Sequence, residues 1–295
     1  MFHSLLKFAT VTCLALSANA ARYPSFGTLQ TTNSSGVLNV AINNTFSPIN
    51  LFDFHVAADL ANLIETLQAN DTDIRVVVFS SGNKDFFIAH FDINFVLPGY
   101  GACFVSLLWN ITQLPQATIA AIEGRARGIG NEFIMACDMR FATTAPSVLL
   151  GQIETSLGVI PGAGGGLYLA HEIGRGRALE YVLSAQDIDG ATAERIGWIN
   201  RAFPTSSALA DYVQTLAARI ALFPPAGIAA AKKEVDAVGR PSKELFIRKS
   251  QDVFDVLVGT PAAQELEEKL IALTHNQSIG PLELSYGTEV FELYK

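Results

Sequence analysis

From Val37 to Ile42 larger apolar side chains alternate with smaller or polar ones at the two-residue period of a strand. Beyond the turn-rich Ser47-Pro-Ile-Asn-Leu-Phe52 segment, the spacing of apolar positions becomes helical over about residues 55–68. Ile74 to Phe79 is a short β-branched run, which suits a strand covered on both faces. A turn at Gly82-Asn83-Lys84, a loop through Ala89, a helix near residues 102–110 and a strand from Thr118 to Ile122 ending at Gly124 follow. The pattern then predicts a helix over about 128–136 and two short strands, around 139–142 and 148–150. This alternation of strands and helices predicts an α/β core. From about Ser207 onward the pattern is almost entirely helical, interrupted at Phe223-Pro-Pro225.

The resulting division is a targeting segment at 1–20, a polar leader at 21–35, an α/β core at 36–206 and a helical region at 207–295. The first segment has a weakly basic start, an apolar stretch from Phe8 to Leu16 and a small-residue cleavage site at Ala18-Asn19-Ala20, the pattern of a secretory signal peptide. Secretory or extracellular routing is therefore expected, with the mature chain starting at Ala21. Glycosylation sequons at Asn33, Asn43, Asn70, Asn110 and Asn276 agree with that expectation if they are exposed.

Composition narrows the possibilities. With 295 residues, 49% of them hydrophobic, the chain can bury one sizeable core and is not a disordered polymer. A net charge of -8 and scattered basic residues leave no cationic stripe for nucleic acid. No later apolar run is long enough for a stable membrane span. Cys13 would leave with the targeting segment, and Cys103 and Cys137 could bridge in an oxidising compartment. The apolar helical surroundings of Cys137 favour a buried thiol instead. No Cys or His spacing suits zinc, and no metal is expected.

The candidate chemistry lies in two glycine-framed acids. Glu132 stands in Arg127-Gly-Ile-Gly-Asn-Glu132-Phe-Ile-Met-Ala-Cys-Asp138, and Glu154 in Gly151-Gln-Ile-Glu154-Thr-Ser-Leu-Gly158-Val-Ile-Pro161-Gly-Ala-Gly-Gly-Gly166. Each alone has an ordinary reading: an acid in a first helical turn complements the helix dipole, and a loop acid needs no explanation. Together, one on a helix and one on a loop leading to another glycine-rich helix start, they can supply a general acid and a general base to one site. The glycine run from Gly162 to Gly166 lacks the Lys-Ser/Thr ending of a P-loop and the spacing of a dinucleotide fingerprint.

These segments resemble those of the crotonase family, the enoyl-CoA hydratase/isomerase superfamily. Its hydratases carry one catalytic glutamate in Gly-Gly-Gly-x-Glu-Leu-Ala-x-x-Cys-Asp and the other in Gly-Gln-Pro-Glu-x-x-Leu-Gly-x-x-Pro-Gly-Ala-Gly-Gly. The resemblance continues upstream through Phe87-Ile-Ala-His-Phe-Asp92-Ile93 and downstream through Gly197-Trp-Ile-Asn200, and spans about residues 36 to 240. It implies a spiral of strand-strand-helix turns with a C-terminal helical trimerisation region, and a homotrimer or dimer of trimers. It further implies that the backbone N–H groups of Ala89 and Ile129 form an oxyanion hole, with Glu132 as the base that activates water and Glu154 as the acid that protonates the α-carbon. The substrate would be an acyl thioester contacted by His90, Phe91, Asp92 and Gly162, with CoA as part of the substrate and no separate cofactor. Lys84 and Lys232-Lys233 are candidate CoA contacts.

Two positions depart from the family pattern. His90 follows Ala89 where glycine is common, and Ile129 replaces the middle glycine of the triple-glycine run. Both add bulk where a pantetheine arm would pass. His90 is open to two readings, an added acid/base or a pocket-wall residue satisfied by a neighbour. The departures, set beside the secretory reading, leave room for an isomerase or lyase acting on a non-CoA enone or enolate, or for a binding protein without turnover.

Overall fold

The computed structural model describes residues 25–70, 73–95, 101–246 and 250–295. Strands β1 (Leu29–Ser34) and β2 (Val37–Ile42) form an antiparallel hairpin. Its turn places Ser35 and Gly36 at φ 51° and 83°, the left-handed geometry that two-residue hairpins require. Helix α1 (Phe54–Asn70) leads to β3 (Val76–Ser81), which pairs parallel with β2.

From there the chain repeats one excursion. It enters a large sheet, crosses to a small one, and returns through a helix. The first turn is β3, β4 (Phe86–Ile88) and α2 (Gly101–Thr112), and the second is β5 (Ala117–Ile122), β6 (Arg125–Arg127) and α3 (Ile129–Ala136). The third is β7 (Met139–Thr143), β8 (Leu149–Gly151) and α4 (Gly165–Glu172). Helix α5 (Arg175–Ser184), β9 (Ile188–Asp189), α6 (Gly190–Ile196) and β10 (Arg201–Phe203) complete the core. The large sheet has the order β1-β2-β3-β5-β7-β10 and the small one β4-β6-β8-β9. This is the strand-strand-helix spiral expected of the crotonase fold.

The β-branched run becomes β3 because both faces of the large sheet are covered. Val77 and Phe79 face Leu60, Leu63 and Leu67 of α1, while Val76 and Val78 join Leu209, Val213 and Ala217 of α7 (Ser206–Ala221) on the other side. Burying each such side chain is worth roughly 1.5–3 kcal/mol, so the six-residue strand holds both layers. Helices α8 (Pro225–Gly239), α9 (Ser250–Val258) and α10 (Pro261–Leu273) follow, with two short turns of helix, α11 (Pro281–Leu284) and α12 (Tyr286–Glu289), at the end. Thr205 and Thr260 cap α7 and α10 by accepting from the N–H of Ala208 and Ala263. Val258, Ala263, Leu270 and Leu282 bury Ile153, Leu157 and Val159, so the C-terminal helices lie over the segment that carries Glu154.

Most expected elements are present, with ends moved by one to three residues. The polar leader, however, contributes β1, an edge strand whose Gln30, Thr32 and Ser34 face water and so carry little hydropathy signal. No single described helix is long and apolar enough to cross a membrane. Residues 1–20, the expected targeting segment, lie outside the described residues, as does the side chain of Cys103. Cys137 is a free, buried thiol that burial pushes up to about 12.

Candidate active site

Two close approaches of backbone bring the site together. Gly128, at φ 51° and ψ -126°, turns the chain from β6 into α3, and its N–H donates to the Gly151 carbonyl at the end of β8 (3.0 Å). A Cβ there would come within 3.1 Å of Glu154 Oε1. A Cβ on Gly130 would overlap the Ile88 carbonyl oxygen, so the first turn of α3 rests directly on the end of β4. Ala89, one residue past β4, and Ile129, the first residue of α3, are therefore neighbours across this contact. The early N–H groups of a helix have no intrahelical acceptor and are available to a ligand.

Glu132 sits one turn into α3, 2% exposed. Its Oε1 accepts from the N–H of Ala163 (2.8 Å) and of Gly165 (2.9 Å), the start of α4. Burial raises its pKa to about 7, and those two donors hold it from rising further. Glu154 opens the short 3-10 turn Glu154–Leu157 and is also buried. Burial, and then the negative charge of Glu132, push it well above the usual carboxylate range. Two buried acids facing one pocket do not both ionise near neutrality.

Assigned the orientation that satisfies both its neighbours, the Gln152 amide donates from Nε2 to both Glu154 oxygens, at 2.9 and 3.1 Å. A Cβ on Gly165 would overlap that amide, so the same glycine that donates to Glu132 leaves room for the partner of Glu154. Between the acids opens a pocket walled by Phe91, Phe95, Phe104, Ile129, Leu157 and Phe254. Its polar wall groups include Glu132, Glu154 and Glu267 of α10, and burial raises Glu267 to about 7. An apolar pocket with a few convergent polar groups suits a small organic ligand.

The remaining expected site residues divide. Ile129, His90, Phe91 and Gly162 line the pocket, and Phe91 meets Phe104 edge-on at 4.7 Å. Ala89 is fully buried behind it, its carbonyl accepting from the Arg127 N–H (3.2 Å). Asp92 is outside the wall: its Oδ1 accepts from Gln277 Nε2 (2.7 Å) and from Asn94, tying the loop to the C-terminal region. Gly162 does not open a helix. Helix α4 begins at Gly165, and a Cβ on Gly162 would lie 2.9 Å from the Phe254 ring and force it to shift.

His90 follows the second of its two readings, since a neighbour satisfies it. Its Nδ1 is 2.7 Å from the Phe91 carbonyl, and its Nε2 is 3.1 Å from Glu283 Oε2. Facing a carbonyl and a carboxylate, both acceptors, the ring is favoured in its doubly protonated form. Burial opposes that charge, but the charge and hydrogen bond of Glu283 outweigh it and raise the pKa. Of the candidate CoA lysines, Lys84 is highly exposed beside Asp85, whereas Lys232 is engaged by Asp138 (2.9 Å) and the Gln116 carbonyl. Gln152, Glu267 and Glu283 were not singled out from sequence. Gln152 alone had a signal, its place two residues before Glu154.

The chain resembles known proteins over most of its length. Residues 32–271 match the family model described as enoyl-CoA hydratase/isomerase. A mitochondrial protein of Dictyostelium discoideum named as a probable enoyl-CoA hydratase is 27% identical over 84% of this chain and 91% of its own. The 2,3-dehydroadipyl-CoA hydratase of Escherichia coli is 30% identical over 70% of this chain and 82% of its own. A crystal structure from Streptomyces avermitilis, named provisionally as an enoyl-CoA hydratase, superposes with a TM-score of 0.84 at 37% identity, covering 90% of this chain and 97% of the other. These relatives overturn the expectation of secretion, because they are mitochondrial or bacterial hydratases. An apolar N-terminal stretch with a small-residue end is too generic to outweigh them. The fold, the two glutamate segments and these matches agree: the chain belongs to the enoyl-CoA hydratase/isomerase family, within the crotonase superfamily.

Proposed function

We propose that the protein adds water across the double bond of a 2-enoyl-CoA thioester. The observation that carries this reading is a pair of buried carboxylates facing one apolar pocket, where burial raises the proton affinity of both. In this reading Glu132 starts ionised and takes a proton from water as the water oxygen bonds to the β-carbon. The electron pair of the double bond moves toward the thioester, and the N–H groups of Ala89 and Ile129 stabilise the enolate oxygen. Glu154 gives its proton to the α-carbon, and the proton held by Glu132 returns the pair to its starting state. CoA enters as part of the substrate. The apolar walls suit the acyl chain, and the family supports an acyl-CoA-type ligand.

A homotrimer, or a dimer of trimers, fits the helical C-terminal region. Leu222, just past α7, and Val235 and Val238 on α8 are exposed in the single chain. The function is tested by hydration of crotonyl-CoA: turnover by the wild type is expected, and its absence across short and medium acyl chains contradicts the reading.

A further inference from the structure

Behind Glu154 lies a line of buried polar groups that the proposed chemistry does not use. The Trp198 indole N–H donates to Asn131 Oδ1 at 2.9 Å. With the Gln152 amide assigned the orientation that satisfies both its neighbours, Asn131 Nδ2 donates to the Gln152 side-chain oxygen at 2.7 Å and Gln152 Nε2 to both oxygens of Glu154. Trp198, Asn131 and Gln152 are each fully buried, so water does not substitute for any link.

The direction of this line is set at its far end. An indole N–H can only donate. It therefore holds Asn131 with its oxygen toward Trp198 and its NH2 toward Gln152. That NH2 in turn requires the Gln152 oxygen, which leaves the Gln152 NH2 facing Glu154. The reverse polarity sets two NH2 groups against each other and an amide oxygen against the carboxylate. Trp198 is itself fixed: its backbone N–H donates to the Ala193 carbonyl of α6 (2.9 Å), and its ring meets Tyr181 edge-on at 5.4 Å. Trp198, Asn131 and Gln152 are not among the pocket-lining residues, so none of the three touches the substrate there.

We propose that Trp198 and Asn131 are positioning residues that, through Gln152, aim two hydrogen bonds at Glu154 and so make it a stronger acid. The inference rests on the reading of Glu154 as the proton donor. Donors aimed at both oxygens favour the ionised carboxylate, which is the form Glu154 reaches when its proton moves to the α-carbon. They oppose burial and the charge of Glu132. The other ionisable groups at the pocket are His90, paired with Glu283, and Glu267 on α10; Arg127, beyond His90, is paired with Asp187. None of them donates to Glu154.

Trp198→Phe removes the donor that sets the polarity, and Asn131→Leu breaks the next link with little change in volume. In either, the Gln152 amide is free to turn its oxygen toward Glu154 and favour the protonated form. The pH dependence of kcat for crotonyl-CoA hydration should then show its basic limb, where Glu154 loses its proton, raised by about one pH unit, a tenfold weaker acid. KM should stay within about twofold. The infrared band of the protonated carboxyl, identified by its loss in Glu154→Gln, should persist to the same higher pH. The double variant should shift no further than either single one, because both cut one line. A basic limb and carboxyl band unmoved in a folded single variant overturn the inference, as do shifts that add in the double. If Trp198→Phe does not fold, Asn131→Leu and the infrared titration decide alone. Full hydration by Glu154→Gln, in contrast, removes the reading of Glu154 and is distinguished from failure of the relay.

Discussion

Glu132 is a carboxyl that folding makes a weaker acid, and this has a measurable consequence for stability. Its folded pKa of about 7 lies above the ordinary 4.5, so between these values the folded chain holds its proton more firmly than the unfolded chain. That contribution to stability is full below about pH 4.5 and is lost as the pH rises through 7. Glu132→Gln removes the titration, while the amide oxygen still accepts from Ala163 and Gly165. In denaturant unfolding from pH 4.5 to 8, we expect the variant to gain on the wild type as pH rises, by up to about 3 kcal/mol. A difference independent of pH contradicts the raised pKa. Gly165→Ala tests the shared wall between the acids. Its Cβ meets the Gln152 amide, and the variant should lose about 1–3 kcal/mol of stability in the same assay. Glu132 and Glu154 were legible because their segments keep the spacing of a known motif. His90 was half legible. Its unusual place showed in the sequence, but its partner Glu283 lies 193 positions away and nothing local points to it.

That partnership belongs to the scale of elements. Besides the apolar packing of Leu282 and Leu284, short helix α11 is held against the core by polar contacts. Arg125 Nε donates to the Leu284 carbonyl (2.7 Å), Arg127 Nη1 to the Glu283 carbonyl (2.7 Å), and His90 meets the Glu283 side chain. Arg127 is fully buried and also forks onto Asp187, whose Oδ2 accepts from the Gly287 N–H (2.9 Å). Glu283→Gln leaves the His90 charge buried without its counterion and should cost about 3–5 kcal/mol in urea unfolding. The double variant His90→Gln, Glu283→Gln should recover part of that loss. Because the His90 pKa is raised, its share of stability is full below about pH 6.5 and fades as the pH passes the folded value. His90→Gln should lack that decline. The same contacts explain why β6 escaped the hydropathy pattern, while β4, Phe-Phe-Ile, is too short to show one. Both are three-residue strands, and β6 is Arg-Ala-Arg, with charged side chains buried by partners that only the fold supplies. The longer strands and α1 were legible because their apolar positions are continuous or strictly periodic.

At the scale of the whole molecule, the spiral places the ends of β4, β6 and β8 side by side, and α3 and the Glu154 turn start from those ends. The C-terminal helices then close the apolar walls. The α/β alternation was legible from hydrophobic pattern, but the division of strands between two sheets was not, since it depends on crossings that leave no local trace. If the exposed apolar residues just past α7 and on α8 meet those of other copies, light scattering should return a mass of three or six chains, and Leu222→Asp with Val238→Asp should reduce it. A monomeric wild type contradicts the proposed assembly and leaves the site chemistry standing. The central claim is that two buried glutamates share the work of hydration. Its most direct test is the rate at which the absorbance of crotonyl-CoA is lost with wild type, Glu132→Gln and Glu154→Gln, each checked by thermal melting. The account expects steady hydration by the wild type and a fall in kcat of at least about a hundredfold in each folded variant; wild-type rates in both variants would contradict it.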